Sequence, residues 1–213
     1  KEYFKNEKKL TNFLNSCDVV IHLAAVIKNK DERIIQDINF DLMNKLLTSH
    51  EKSQSKPVIF FASSTQENSE TVYGLSKKEL SKALEKWSEK QKAFSRVFII
   101  PNVYGPFSKP NYNSVVSTFC YQLSRNIKTE VKIDNELKLI YVGNLVNKMI
   151  NEISVFFENK NDQHFFKKID IMHEKTILVS SLLLKLKVFN DSYIQNNKIP
   201  IFSENLDRNL FNT

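Results

Sequence analysis

The amino-acid sequence predicts an α/β fold, with a parallel sheet and crossover helices over residues 1–100 and a smaller mixed α/β lobe over residues 101–213. Three observations support this prediction. Strand and helix patterns alternate through the first hundred residues, which is typical of parallel sheets. After Pro101 the alternation gives way to a loop rich in Pro, Asn and Tyr. Hydrophobic residues make up 41% and charged residues 26%, so the chain can bury a substantial core.

The first hundred residues contain three predicted strands and three predicted helices. Short apolar runs rich in β-branched residues predict the strands, and apolar residues at helical spacing predict the helices. The strands are predicted at Asp18–Ala25, Val58–Ala62 and Arg96–Ile100, and the helices at Asn6–Asn15, Asp31–His50 and Tyr73–Lys92. The apolar positions of the second helix are Ile34, Ile35, Ile38, Leu42, Leu46 and Leu47.

The remaining residues, 101–213, predict a mixed lobe. Helices are predicted at Ser114–Arg125, Leu145–Phe157 and Thr176–Phe189, and strands at Glu130–Ile133, Leu137–Val142 and Phe165–Ile171. Because strands and helices no longer alternate regularly here, this half is predicted to form a lobe beside the sheet and not more of it.

Composition argues against several classes of protein. The net charge of +7 comes from lysines scattered among 24 acidic residues, so a solvated surface is favoured over a nucleic-acid site. Cys17 and Cys120 have no CxxC or Cys/His neighbours, which predicts no metal site. No apolar stretch is long enough for a membrane span or a signal peptide, so we expect a cytoplasmic protein.

Tyr73 and Lys77 form a Tyr-x-x-x-Lys pair at the start of a predicted helix. A spacing of four places both side chains on one helical face. An ammonium near a phenol lowers the phenol pKa, so the tyrosine can exchange a proton with a substrate alcohol or carbonyl. About one such match is expected by chance in so lysine-rich a chain. A hydrogen-bonding turn with an exposed tyrosine is the alternative interpretation.

Hydroxyl residues follow the strand that precedes this pair. In a parallel sheet the carboxyl ends of the strands face the ligand crevice, so Ser63, Ser64 and Thr65 are expected near Tyr73. His22 lies near another strand end and is interpreted as structural and not catalytic. Ala24 and Ala25 beside it permit close approach of either a flat cofactor or a neighbouring helix.

The loop that begins at Pro101 and continues past Pro110 carries amide side chains. Asn102, Asn111 and Asn113 supply donors and acceptors that suit sugar hydroxyls or a uracil edge. The alternative is that Asn and Pro here only form turns.

Four segments together resemble a known family. DVVIHLAA, ASST, YGLSK and PNVYGP stand in the order and approximate spacing found in extended short-chain dehydrogenases/reductases, the NAD-dependent epimerase/dehydratase type. These are Rossmann-fold enzymes that act largely on nucleotide sugars. PNVYGPFSKPNYNSVVSTFCYQLSRN, ELKLIYVGNLV and the tail segments HEKTILVSSLLLKLKVFNDS and ENLDRNLFNT are similar to bacterial capsular-polysaccharide reductases of 4-keto UDP-deoxy-amino-sugars. The resemblance implies NAD(P)H-dependent reduction, NADPH being favoured, on the route to UDP-N-acetyl-L-fucosamine.

The resemblance also implies site residues. Tyr73 would be the general acid, Lys77 would lower its pKa and hold the nicotinamide ribose, and Ser64 would be the catalytic hydroxyl, with Ser63 and Thr65 as alternatives. The residues expected at the cofactor are His22, Leu23, Ala24, Ala25, Tyr73, Lys77, Pro101, Asn102 and Val103. The residues expected at the UDP-sugar are Ser64, Thr65, Asn102, Asn111, Tyr112, Asn113 and Ser114.

Two parts of the family pattern do not stand in these 213 residues. The family opens with a strand and a G-x-x-G-x-x-G turn that binds the cofactor pyrophosphate, and the chain has only three glycines, Gly74, Gly105 and Gly143. The related reductases also continue into a cupin domain. A truncated, non-catalytic remnant and a nucleotide-sugar epimerase or dehydratase are therefore kept as alternatives. NAD is not separated from NADP, a homodimer is left open, and neither nucleic acid nor membrane is expected as a partner.

Overall fold

The computed structural model describes residues 2–159 and 163–213, which fold into seven strands and seven α-helices. The strands are β1 (Val19–His22), β2 (Val58–Ser64), β3 (Ser95–Ile100), β4 (Asn102–Tyr104), β5 (Glu136–Tyr141), β6 (Phe166–Asp170) and β7 (Lys175–Leu178). The helices are α1 (Glu7–Leu14), α2 (Glu32–Lys52), α3 (Val72–Gln91), α4 (Val115–Leu123), α5 (Val142–Glu158), α6 (Val179–Asn190) and α7 (Asn205–Phe211). No helix within these ranges combines the length and apolar character needed to cross a membrane.

The chain divides into two compact units. The first unit comprises Lys1–Ile100 and Phe156–Asp170, and the second comprises Pro101–Val155 and Ile171–Thr213. The predicted lobe over residues 101–213 differs from this division, because Phe156–Asp170 belongs with the first unit. The reason is backbone pairing: β6 is a parallel neighbour of β3.

The first unit is built on a four-stranded sheet in the order β1-β2-β3-β6. All neighbouring strands are parallel, which confirms the predicted α/β fold with a parallel sheet. The register pairs His22 with Phe61 and Ser64 with Ile100. Because the strands run in the same direction, the ends of β1, β2 and β3 lie at one edge of the sheet.

The two faces of β2 serve different layers of the first unit. Ile59 and Phe61 are buried against helical residues of α1, α2 and α3. Phe60 points to the other face, where its ring stacks on Phe98 with centroids 5.3 Å apart and meets the Phe156 ring edge-on at 6.3 Å. The strand is therefore apolar on both faces, as is usual for a central parallel strand.

Helix α2 buries part of the face that its apolar spacing predicts, since Leu46 and Leu47 are buried and Leu42 is half-buried. Ile35 and Met43 are buried, whereas Ile34 and Ile38 are more than a third exposed. The polar Asn39, one turn from both buried residues, is 1% exposed. The helix thus brings an amide to the interior, which apolar periodicity does not predict.

The second unit contains a three-stranded mixed sheet in the order β4-β5-β7. Strand β4 is parallel to β5, and β7 is antiparallel to it. Helices α4, α6 and α7 supply most of the apolar core beside this sheet, through residues such as Phe119, Leu182 and Leu210. The predicted mixed lobe is thus observed, with a smaller sheet than that of the first unit.

Three predictions of local structure are wrong in this half. Residues 130–133 form no strand, because alternation alone does not provide a neighbouring strand to pair with. Residues 175–178 form β7 and not the start of a helix, since Ile177 pairs with Leu137 across the sheet. Asn102 and Val103, predicted in a loop, lie in β4 and pair with Leu139 and Ile140 of β5.

Candidate active site

The first turn of α3 carries Tyr73. Thr71 caps this end of the helix, because its hydroxyl accepts a hydrogen bond from the Gly74 N–H at 3.1 Å. Tyr73 is half-buried, and Lys77 follows one turn later. The Lys77 Nζ lies 5.7 Å from the centre of the Tyr73 ring. The phenol and the amine therefore share one face of the helix.

The Lys77 side chain is buried, with only 2% of its surface exposed. Its Nζ donates a hydrogen bond to the Ala62 carbonyl oxygen of β2 at 2.6 Å and lies 4.5 Å from the centre of the Phe61 ring. Burial lowers the pKa of Lys77 to about 8, and the negative charge of Glu67 opposes this shift. At pH 7 the amine is therefore still largely an ammonium ion.

The hydroxyl residues at the end of β2 have different surroundings. Ser63 is buried and donates a hydrogen bond to the Glu67 carboxylate, whereas Thr65 is exposed. Ser64 is half-buried, and its Oγ accepts the Gln66 N–H at 3.2 Å. Its own proton is donated to none of the residues that the structure describes. Ser64 thus combines partial burial with a hydroxyl that can still donate to a ligand.

Glu67 is a site residue that the sequence analysis missed. It lies in the short 3-10 helix Thr65–Asn68, which follows β2, and 6% of its surface is exposed. Its carboxylate accepts hydrogen bonds from Ser63 and Ser81, and it pairs with Lys168 of β6 at 2.7 Å. No periodic pattern marks a glutamate in so short a connection, so the sequence offers no signal for this cluster.

Gly74 allows α3 to approach the same 3-10 turn. A Cβ atom at this position would lie 2.2 Å from the Gln66 carbonyl oxygen and 2.5 Å from the Ser69 Oγ. Both distances are far below van der Waals contact, so a larger residue would displace the helix from the turn. The glycine beside Tyr73 therefore determines how closely the tyrosine approaches the end of β2.

His22 ends β1 and is buried, with 4% of its surface exposed. Its ring stacks on Phe61 with centroids 5.7 Å apart. Burial, with a smaller contribution from the positive charge of Lys77, lowers the pKa of His22 to about 4. The ring is neutral at pH 7, in a packed position.

Strand β1 ends at His22, so it is shorter than the predicted strand Asp18–Ala25, and the residues after His22 lie outside the sheet. Leu23 and Ala24 are exposed and Ala25 is half-buried. The buried Asn39 holds the following residue: its Oδ1 accepts the Val26 N–H at 2.7 Å, and its Nδ2 donates to the Val26 carbonyl at 3.0 Å. A polar residue at a buried helical position would have been the signal for this contact.

The predicted site residues from Pro101 onward lie in the second unit. Pro101 is buried, and Asn102 and Val103 are exposed in β4. The Asn102 Nδ2 donates to the Lys138 carbonyl at a long 3.4 Å. The amide oxygen of Asn102 accepts no hydrogen bond from the residues described, so it can accept one from a ligand.

The loop before α4 has an ordered backbone. Asn111 adopts a left-handed conformation with φ 57°, and its N–H donates to the Thr118 Oγ1 at 2.9 Å. Ser114 caps α4 by accepting the Ser117 N–H at 3.3 Å. The side chains of Asn111 and Asn113 are exposed and that of Tyr112 is half-buried. Two backbone constraints thus hold the segment that presents these three side chains.

Several side chains of the first unit have a chemistry that suits one end of a nicotinamide dinucleotide. The Lys77 ammonium can donate to ribose hydroxyls, and the small side chains of Ala24 and Ala25 leave room for a flat ring. Gly74, Gly105 and Gly143 lie far apart in the chain and form no phosphate-binding turn. Within residues 2–159 and 163–213, no group of three His, Cys, Asp or Glu side chains could hold a metal ion.

The amino-acid sequence of this chain is similar to those of known proteins. The model of the NAD dependent epimerase/dehydratase family matches residues 4–150, more than half of the chain. A UDP-2-acetamido-2,6-beta-L-arabino-hexul-4-ose reductase of Pseudomonas aeruginosa is 30% identical over 138 residues, covering 64% of this chain and 37% of the reductase.

Solved structures show the same fold. The capsular polysaccharide assembling protein CapF of Staphylococcus aureus matches with a TM-score of 0.73 at 24% identity, covering 100% of this chain and 54% of CapF. WbmF of Bordetella bronchiseptica, solved with NAD+ and UDP, matches with a TM-score of 0.77 at 15% identity, covering 99% of this chain and 75% of WbmF. The Rossmann-like fold is thereby confirmed. The chain spans about half the length of CapF and about a third of the Pseudomonas reductase.

Proposed function

Because the chain belongs to the NAD-dependent epimerase/dehydratase family, we propose that it carries the catalytic pair of an NAD(P)H-dependent reductase of a UDP-linked 4-keto sugar. One observation carries this proposal. A buried lysine, one turn from a tyrosine, lies against the strand whose last residue is Ser64. Because only 2% of the Lys77 surface is exposed, its ammonium loses most of its hydration, a cost that the surface lysines of this chain do not bear.

The proposed chemistry is a proton transfer to a ketone oxygen. A nicotinamide cofactor, held by Lys77 at its ribose, would supply the hydride for the carbonyl carbon when bound. The Tyr73 phenol donates its proton to the carbonyl oxygen as negative charge develops there, so that the C=O double bond becomes a C–O single bond and new C–H and O–H bonds form. The Ser64 hydroxyl donates a hydrogen bond to the same oxygen. The Lys77 ammonium stabilises the phenolate that remains.

Each role has support in the surroundings of its side chain. Ser64 keeps a donor, while the Ser63 hydroxyl is used by Glu67. The Lys77 Nζ lies 5.7 Å from the centre of the Tyr73 ring. At this range a positive charge favours the phenolate form of a tyrosine. We assign His22, Leu23, Ala24 and Ala25 to the cofactor as neighbours and not as acid or base, because the His22 ring, with a pKa of about 4, is neutral at pH 7 and a weak base.

Residues of the second unit are proposed for substrate recognition. We assign Asn102, Asn111, Tyr112, Asn113 and Ser114 to the UDP-sugar and Pro101 to Val103 to the cofactor. The exposed amides of Asn102, Asn111 and Asn113 support this assignment, since they can both donate and accept. Thr65, exposed after β2, is assigned to the sugar as well.

We propose that the substrate is a 2-acetamido-2,6-dideoxy-4-keto sugar and that the product leads to N-acetyl-L-fucosamine in a capsular or surface polysaccharide. The reaction for which the Pseudomonas relative is named supports this proposal. The resemblance of residues 110–114 (PNYNS) to the capsular-polysaccharide reductases also supports it. NADPH is the proposed reductant, and the cytoplasm the proposed setting. Light scattering of the protein would test whether it forms a homodimer.

The test is reduction by the full-length protein that contains this chain. NADPH oxidation is followed at its absorbance band with the UDP-4-keto sugar present and absent. Tyr73→Phe should lower kcat by about 10²- to 10⁴-fold, the range for loss of a general acid, with the circular dichroism spectrum unchanged. Tyr193→Phe is a matched control, because it removes an exposed phenol of the second unit that is assigned to neither the substrate nor the cofactor. Full activity of Tyr73→Phe would refute the assigned mechanism.

The same preparation separates the two alternatives. Interconversion of UDP-sugars with NAD+ and no net NADPH consumption would identify an epimerase. Absence of NADPH binding by the full-length protein in calorimetry would support a non-catalytic remnant.

A further inference from the structure

We propose that Glu67 is a positioning residue of this site: its buried carboxylate holds the turn between Ser64 and Tyr73 and presents a negative charge to the Lys77 amine. The inference deepens the proposed function, since it concerns the same catalytic pair, but it rests on contacts that are independent of any substrate. Glu67 itself is not proposed to touch substrate or cofactor.

Glu67 ties three elements to the turn in which it lies. Ser63 reaches its carboxylate from the end of β2, Ser81 from α3, and Lys168 from β6 at 2.7 Å. Only 7% of the Glu67 side chain is exposed. A buried carboxylate without such partners would be strongly destabilising, so these three contacts offset the cost of burying Glu67.

The turn held in this way sets the spacing of two catalytic groups. Ser64 caps the turn on one side, where its Oγ accepts the Gln66 N–H. On the other side the Gln66 carbonyl oxygen leaves room only for a glycine at position 74 of α3. Displacement of the Glu67 backbone would thus move Ser64 and the first turn of α3 relative to each other.

The contacts of the carboxylate also place it in the surroundings of Lys77: Ser81, which donates to it, lies one turn of α3 from Lys77, and Ser63, which also donates to it, follows Ala62, whose carbonyl accepts the Lys77 hydrogen bond. Burial favours the neutral amine, and Glu67 opposes it. The other titratable groups of the first unit that face this pair are His22 on β1, Tyr73 on α3 and Lys168 on β6. The His22 ring is neutral and Lys168 is a cation. Of the groups named here, Glu67 therefore supplies the negative charge that faces Lys77.

The test measures the Lys77 titration directly. Lysine labelled with ¹³C at Cε and ¹⁵N at Nζ is incorporated into the protein, and the Lys77 signal is assigned by its loss in Lys77→Met. Glu67→Gln keeps the shape of the side chain but removes its charge. We expect the Lys77 midpoint to fall by about one pH unit, the lower end of the effect of a nearby opposite charge.

Two controls separate charge from structure. Glu79→Gln removes an exposed α3 carboxylate that contacts Gln36, and it should leave the Lys77 midpoint unchanged. Ser81→Ala removes a hydrogen bond to Glu67 without changing its charge, and it should leave the midpoint within about 0.3 pH units, well under the effect of the charge.

A second variant keeps the inference falsifiable if Glu67→Gln does not fold. Lys168→Met removes the cation that competes for Glu67 and should raise the Lys77 midpoint. An unchanged midpoint in Glu67→Gln, or a lowered one in Lys168→Met, would overturn the inference. Because no substrate or cofactor is present, these outcomes are independent of the Tyr73→Phe assay that tests the proposed function.

Discussion

Replacement of Lys77 by methionine should stabilise the first unit at neutral pH while it removes a proposed catalytic group. The folded protein holds a buried amine whose pKa is lowered from 10.5 to about 8. This shift corresponds to about 3 kcal/mol of destabilisation wherever the amine is charged in both the folded and unfolded states. Methionine fills a similar volume without a charge, but it leaves the Ala62 carbonyl without the Lys77 donor, which costs about 1 kcal/mol. The expected net gain at pH 7 is about 2 kcal/mol.

The sign of the pH dependence makes this prediction specific. Below pH 8 the amine is charged in both states, so the destabilisation by wild-type Lys77 is complete. Between pH 8 and 10.5 the folded state loses its proton while the unfolded state keeps it, and the destabilisation decreases. Above pH 10.5 both states are neutral, so the advantage of methionine from the charge disappears.

Urea unfolding followed by the fluorescence of Trp87 is a suitable assay. Trp87 is the single tryptophan, it lies in α3, and it is largely buried in the first unit. Lys78→Met, at an exposed neighbouring position, is the matched control and should change stability by less than about 0.5 kcal/mol. A Lys77→Met variant less stable than wild type at pH 7, or a gain that does not decline by pH 10.5, would refute the reasoning.

Two further predictions concern the same unit and use the same Trp87 signal. Gly74→Ala should destabilise it by about 1–3 kcal/mol, because the new Cβ would meet the Gln66 carbonyl at 2.2 Å, and wild-type stability would contradict that close approach. His22→Phe should keep the stacking on Phe61 but abolish a loss of stability on acidification. In wild type the folded pKa of about 4 lies below the unfolded value of 6.5, so up to about 3 kcal/mol is lost as the pH falls from 6.5 to 4. An equal acid sensitivity in His22→Phe would show that other groups cause it.

The parallel sheet was predictable because short apolar runs in the sequence mark its strands. Val58 to Ala62 is a short apolar run and lies inside β2, and α3 begins within one residue of the predicted start at Tyr73. Such patterns arise from burial on one face of a helix or both faces of a strand, which the order of residues alone records. The partner of a strand is a different matter. Phe166–Asp170 was predicted as a strand, but its place beside β3 depends on backbone pairing with residues seventy positions earlier.

The candidate site divides in the same way. Tyr73, Lys77 and Ser64 were identified from the sequence, although the pair alone occurs at the frequency expected by chance. The burial of Lys77 under Phe61 and against the Ala62 carbonyl, which distinguishes it from the surface lysines, is visible only in the structure. Glu67 and Asn39 were missed because a single polar residue gives no periodic signal.

From the sequence by itself follow the α/β class, the order of the elements in the first hundred residues and the Tyr-x-x-x-Lys spacing, because these depend on contacts within a few residues along the chain. The tertiary structure alone decided that β6 joins the first sheet, that Ser63 is used by Glu67 while Ser64 keeps a donor, and that the Lys77 amine is out of water. The physical reason is that desolvation and charge act through space. The groups that determine the state of Lys77 come from β1, β2, the Thr65–Asn68 turn and α3, and no local pattern records that they meet.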